Sequence, residues 1–153
     1  MESRYRWRTT HGKPAPPFII SDFMVCFDSR KKVTEYTDKY FAAQFYQVAM
    51  HYEFMSDHFK SLPSYATYAY MGEAAAAAGG PDKAYKGYVD GNLIGTPEEL
   101  YEKHLMRKSM VGDYEIIANF SFGGMPYDQV YEQMKLFAEK VMPKLKAEQH
   151  SNA

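Results

Sequence analysis

One cysteine, Cys26, stands in the whole chain. No intrachain disulfide can form, and a reducing cytoplasm is the default compartment. Neither sign of charge is in excess: 18 Lys and Arg face 19 Asp and Glu, a net charge of −1. That leaves no basic field for nucleic acid and no acidic tail. The basic residues are scattered, apart from Arg4, Arg6 and Arg8. No apolar run approaches the ~20 residues of a membrane span, so no membrane partner is expected. The opening MESRYRWRTTHGKPAPP lacks an apolar h-region and does not read as a secretory signal. What the chain does have is aromatic surface, 16 % of its residues with 14 tyrosines. That argues for a packed domain or a ligand-facing wall and against disorder. The 153 residues suffice for one domain, 1–153, with a real core.

Residues 1–17 read as a helix end or arm followed by a Pro-rich turn. FIISDFMVCF, 18–27, is apolar on both faces apart from Ser21 and Asp22, the pattern of a strand covered on both sides. Asp28 and Ser29 offer caps for a long helix over about 30–52, with Val33, Tyr36, Tyr40, Val48 and Tyr52 as its stripe. HYEFMSDHFKSLP is a break, and the Ala-rich stretch predicts a helix over about 65–78 that Gly79, Gly80 and Pro81 end. PDKAYKGY reads as a loop and 88–94 as a strand. In GTPEELYEKH, Thr96 is a good N-cap, Pro97 suits the first helical position, and Glu99 can close a capping box. A helix over 97–110 follows, then a strand over 113–122. The last helix, 127–140, has Val130, Met134, Phe137 and Val141 on one face, and Pro143 is expected to stop it. Repeated βα units imply an α/β fold with a parallel sheet.

FSFGGMP, 120–126, lies at the C-terminal end of a strand, where parallel sheets bind ligands. Its two glycines allow close backbone approach, but a tight βα turn needs them equally. HYEFMSDH gathers His51, Glu53, Asp57 and His58; the break between the histidines favours a polar helix end over a metal site. His104, beside Lys103 and Arg107, reads as surface. Cys26 has no base nearby in sequence to activate it and reads as a buried structural thiol. The insert of about 30 residues before the second strand is long for a compact domain, so a functional loop or mobile lid competes with plain packing surface.

GTPEELYEKH, then DYEIIANFSFGGMPYDQV, then QMKLFAEKVMPKLK resembles the C-terminal end of the luciferase-like monooxygenases, the flavin-dependent bacterial-luciferase superfamily. The likeness rests on Gly95-Thr96-Pro97-Glu98, on Met134-Lys135-Leu136-Phe137 and on Val141-Met142-Pro143, in that order. The stretch from His51 to Gly80 and the following PDKAYKGYVDGNLIGTPE resemble one branch of the same family. The resemblance implies a TIM barrel, of which this chain carries the last three βα units, with parallel strands about 18–27, 88–94 and 113–120 and a helical insert about 65–78. A complete barrel takes ~250 residues, and the units that hold the flavin phosphate are missing from this sequence.

The resemblance also implies a cofactor, FMN or a related flavin or deazaflavin, whose hydroperoxide oxidises an organic substrate. Binding by this chain alone is not expected. Phe120, Phe122, Gly123 and Gly124 would wall the flavin or substrate, and Lys83 and Lys86 would belong to the lid. No catalytic residue can be assigned. Three roles compete: a fragment of a monooxygenase that is not catalytic alone, an assembly subunit that completes a barrel with a chain carrying the missing half, and a stand-alone small α/β domain with another activity. Open sheet edges and an uncovered inner face (Phe23, Val25, Ile117 and Asn119) predict self-association as a dimer.

Overall fold

The computed structural model describes residues 10–12, 18–53, 57–77 and 79–151, with the side chains of the last helix described to 148. The expected N-terminal arm and Pro-rich turn lie mostly outside the described residues. The first strand, β1 (Phe18–Cys26), runs into helix α1 (Arg30–Tyr36), a π-helical turn over Thr37–Phe41, and α2 (Ala42–His51). The long helix expected over 30–52 is therefore present with a π turn at its centre. Thr37 sits there, its hydroxyl donating to the Val33 carbonyl at 2.7 Å while its own carbonyl accepts from Tyr85 at 3.1 Å. Two short 3-10 turns, Asp57–Ser61 and Pro63–Tyr65, lead into α3 (Ala66–Ala77), where the Ala-rich helix was expected.

The next segment corrects the sequence reading. Residues read as loop and strand form helix α4 (Pro81–Gly91), and the second strand, β2, is only Leu93–Gly95. Pro81 occupies the first turn behind Gly80, whose φ of +96° suits only glycine, and Asp82 lies at the positive end of the helix. Tyr85, Tyr88 and Val89, spaced three and four apart, pack on the core. Asn92 ends the helix. Its side chain donates to the Tyr88 carbonyl at 2.8 Å and accepts from the Phe23 amide at 2.9 Å, so it ties α4 to β1.

Helix α5 (Pro97–Val111) starts as the sequence predicts. The Thr96 hydroxyl accepts from the Glu99 amide at 3.4 Å, and Glu99 accepts from the Thr96 amide at 2.8 Å. The folded-back Glu99 also explains Gly95, where a Cβ would sit 2.8 Å from the Glu99 side chain. Strand β3 (Tyr114–Asn119) and helix α6 (Tyr127–Lys140) follow. Pro143 does not stop the helical path; it stands in the first turn of α7 (Met142–Ser151), where its missing amide costs nothing.

The sheet has three strands in the order β2-β1-β3, all parallel. The front half of β1 pairs with β3 (Phe18↔Tyr114 to Phe23↔Asn119), and its end pairs with β2 (Met24↔Leu93 to Cys26↔Gly95). Three consecutive barrel units would instead put β2 in the middle with every helix on one face. Here helices cover both faces. On one, Phe23 meets Phe41 of the π turn and Tyr88 of α4. On the other, Arg107 of α5 pairs with Asp22, and Gln133 of α6 accepts from the Cys26 amide. With right-handed crossovers, stepping from β1 to β2 and back across β1 to β3 puts the two connections on opposite faces. The most apolar strand gains most from the central position: Met24, Val25, Cys26 and Phe27 are fully buried.

Candidate functional site

The C-terminal ends of the three strands meet the start of α6. The turn after β3 is held from two sides. Phe120 packs edge-on against Phe137 of α6, with ring centroids 5.6 Å apart. Phe122 turns to the opposite face and meets Phe23 and Phe41 at 5.2 and 5.8 Å. Both are buried, at 8 % and 7 % exposure. Strand β3 ends at Asn119, so period-two alternation no longer fixes which way these two rings point.

Gly123 follows with φ +60°, and a Cβ there would lie 2.1 Å from the Tyr40 carbonyl oxygen. Its glycine is required by the fold. Gly124, at φ +75°, has nothing within 4 Å of an added Cβ and is exposed.

Gln133 ties the strand ends together, and sequence reasoning missed it. It is fully buried in α6, accepts from the Cys26 amide at 3.0 Å, and donates to the Met125 sulfur at 2.8 Å and the Gln129 carbonyl at 3.3 Å. Met134, expected on the core face, is half exposed instead. The available signal was a glutamine three residues after Val130 and four before Phe137, inside the apolar stripe. Gln129 adds a link to α1, accepting from the Tyr36 hydroxyl at 2.6 Å. Cys26 is buried as expected. Burial first, then the nearby Glu98 carboxylate, push its thiol up to about 12, which keeps it protonated.

Lys83 and Lys86 are exposed on α4. The Lys83 side chain lies along Gly79. Lys86 borders a cleft of about 270 Å³ with Arg30, Asp38 and Asp90. Helix α4 meets the rings around Phe122 through Tyr85 and Tyr88, which lie 6.2 and 5.1 Å from Phe41. Phe120, Phe122, Gly123 and Gly124 line neither that cleft nor the cavities of about 480 and 770 Å³ elsewhere in the molecule. In this arrangement both rings are buried and Gly123 is pressed against the Tyr40 carbonyl, while Lys83 and Lys86 lie exposed on α4.

His51, Glu53 and His58 border the 480 Å³ pocket with Phe59, Tyr65 and Tyr68, while residues 54–56 of that stretch lie outside the described residues. Among the described residues, no group of three or more His, Cys, Asp or Glu is placed to hold a metal, and no helix is long and apolar enough to cross a membrane.

A second polar assembly lies at the start of β3, and it corrects the reading of His104 as surface. His104 is buried, its Nδ1 2.9 Å from the Tyr114 hydroxyl and its Nε2 3.8 Å from Glu148 of α7. Burial holds its pKa below the usual value against the pull of Glu148. One turn on, Arg107 grips the buried Asp22 carboxylate with two bonds of 2.6 and 2.8 Å. Asp22 was the polar exception in an apolar strand, and Arg107 is its reason. Lys108 pairs with Asp113 at 3.1 Å and with Glu148 at 3.4 Å, and Tyr101 donates to Glu148 as well.

No protein-family model matches the chain, and no curated protein does. Among solved structures, it is similar to the crystal structure of monooxygenase RslO1 from Streptomyces bottropensis. The TM-score is 0.57 at 17 % identity, over 90 % of this chain and 34 % of that one. The likeness is one of α/β fold, and the chain spans about a third of the length of that monooxygenase.

Proposed function

We propose that the chain corresponds to the C-terminal part of a flavin-dependent, luciferase-like monooxygenase and has no flavin site of its own. The observation that carries the reading is the likeness of 90 % of the chain to 34 % of a monooxygenase. The ordered motifs from Gly95 to Pro143 support the narrower family. The oxidising chemistry would come from FMN or a related flavin or deazaflavin bound by the other units of a barrel. This chain would supply the wall from Phe120 to Gly124 and the cover carrying Lys83 and Lys86. Its partner is then a chain with the missing half or, in isolation, a second copy of itself.

Titration of the purified chain with FMN, followed by flavin fluorescence, tests this. The expected result is no saturable quenching at micromolar flavin. Saturable quenching there would overturn it and identify a stand-alone flavoprotein.

One observation favours a second reading, a self-sufficient small α/β domain. The order β2-β1-β3 places helices on both faces of the central strand, and in a complete barrel β3 would lie on the far side of β2. A cooperative monomer of unaltered secondary structure at every concentration would support that domain over the barrel part.

A further inference from the structure

A cavity of about 770 Å³ opens between β3, α5, α6 and α7, beside the polar assembly at the start of β3 and away from the Gly-Gly turn. It exists because β3 is an edge strand that its helices cover incompletely. Tyr114 is buried on that face, but Ile116 is only half-buried and Ala118 is exposed. Helix α7 roofs the gap and is tied down through Glu148 to Tyr101 and Lys108. The walls are apolar: Ile116, Ala118, Phe137 and Leu145. The polar groups gather at one end, around His104, Tyr114 and Glu148.

The hydrogen bonds at that end set the tautomer of His104. The Tyr114 hydroxyl lies 2.9 Å from His104 Nδ1 and donates to it. The proton of the neutral imidazole then sits on Nε2, drawn there by the Glu148 carboxylate 3.8 Å away. That distance is too long for a hydrogen bond. Among the described residues no buried side-chain nitrogen or oxygen lacks a partner, so Nε2 is open to the cavity. The charged neighbours are occupied with one another, Lys108 with Asp113 and Glu148.

We propose that this cavity binds an uncharged, largely apolar carbonyl compound, whose oxygen accepts from His104 Nε2–H while its body lies against Ile116, Ala118, Phe137 and Leu145. The volume lies within the ~300–1,000 Å³ typical of small-molecule sites, which are apolar with a few placed polar groups. An anion is disfavoured because Asp113, Glu115 and Glu148 outnumber Lys108 and Lys146 around the cavity. A cation finds Asp113 and Glu148 already paired with Lys108. A neutral acceptor meets the Nε2–H donor, while Lys146 and Glu115, both exposed, keep their charges in solvent. The site is separate from the flavin reading and stands or falls without it.

The test uses 2-octanone as the probe, with isothermal titration on the full chain and amide shifts in two-dimensional NMR to locate it. The expected result is saturable binding below about 1 mM, with shifts concentrated in β3 and α7. Ala118→Phe fills the cavity and should abolish binding while the melting temperature stays unchanged; the smaller Ala118→Leu serves if that variant does not fold. His104→Phe keeps the bulk but removes the donor and should weaken binding about tenfold, the worth of one hydrogen bond. His104→Gln, which restores an N–H, should recover most of it. No saturable binding by the wild-type chain, or equal binding by the cavity-filled variant, would overturn the site. Undiminished binding by His104→Phe would overturn the role of His104.

Discussion

Gly123 and Gly124 look interchangeable in the sequence, yet the fold asks different things of them. Both hold positive φ, but only Gly123 is pressed against backbone, 2.1 Å from the Tyr40 oxygen to an added Cβ. Gly124→Ala should cost about 1 kcal/mol, the left-handed penalty alone. Gly123→Ala must also push the turn away from the π-helical segment and should cost about 3 kcal/mol or more. Urea unfolding of the two variants checks the difference, and equal losses would remove the close packing at Tyr40. His104 carries a prediction about pH. Its folded pKa lies below the ordinary histidine value because burial disfavours the imidazolium. The unfolded chain therefore binds a proton that the folded chain refuses. Stability should fall as pH drops below about 6.5, and this contribution levels off below the folded pKa. Urea midpoints measured from pH 7.5 to 5 should show that slope in the wild-type chain and lose most of it in His104→Gln.

At the scale of elements, legibility followed how local the determining interaction is. The start of α5 was fully legible because Thr96, Pro97 and Glu99 satisfy one another within a single turn. The 9-residue run of β1 and the 14 residues of α6 were legible from unbroken patterning. The region 81–95 was not. Tyr88 and Val89 favour strands by propensity, and Gly91 and Asn92 look like turn residues within one. Packing of Tyr85, Tyr88 and Val89 against Phe41 and Phe45 decided for helix, and no local window holds those partners. His104 misled for the same reason, since Tyr114 and Glu148 lie 10 and 44 positions away. At the candidate site, the Gly-Gly turn could be placed from sequence, but the burial of both flanking rings could not. The insert now divides into two helices with different prospects. Helix α4 packs the half-buried Tyr85, Tyr88 and Val89 on the core, whereas α3 packs no residue on it and exposes Tyr70 and Met71. An isolated 12-residue helix is marginal in water. In hydrogen exchange, the amides of Ala66–Ala77 should be among the fastest of any helix here, and those of α4 clearly slower. Protection of α3 equal to that of residues 22–26 would end the reading of this segment as a mobile cover.

The whole molecule covers most of its three-stranded sheet and leaves one part open. Of the inner-face residues expected to lie bare, Phe23 and Val25 are covered by the helices of the first connection and α4. Asn119 is half-buried and donates to the Ser21 hydroxyl at 2.9 Å. The front of the same face is not covered: Ile19 is 62 % exposed and Ile117 52 %. Ile117 also stands on β3, whose six residues form an edge of the sheet among the described residues. Unpaired amides and carbonyls beside exposed isoleucines are a template for another strand. Burying each isoleucine would gain about 1.5–3 kcal/mol per chain, a substantial amount against a net stability of about 5–15 kcal/mol. The expected outcome is a two-fold dimer in which β3 pairs antiparallel with β3 of a second copy, so that each Ile117 is covered by the same patch on the other. Sedimentation equilibrium should show the mass rising with concentration from 17.6 kDa toward twice that value. Ile117→Lys, which puts a charge into the centre of the contact and touches no buried group, should hold the chain at the monomer mass without lowering its melting temperature at low concentration. A wild-type chain that stays at 17.6 kDa over the whole range would mean that the edge is tolerated bare. The covered faces of β1 would then be enough to make the three-stranded sandwich self-sufficient.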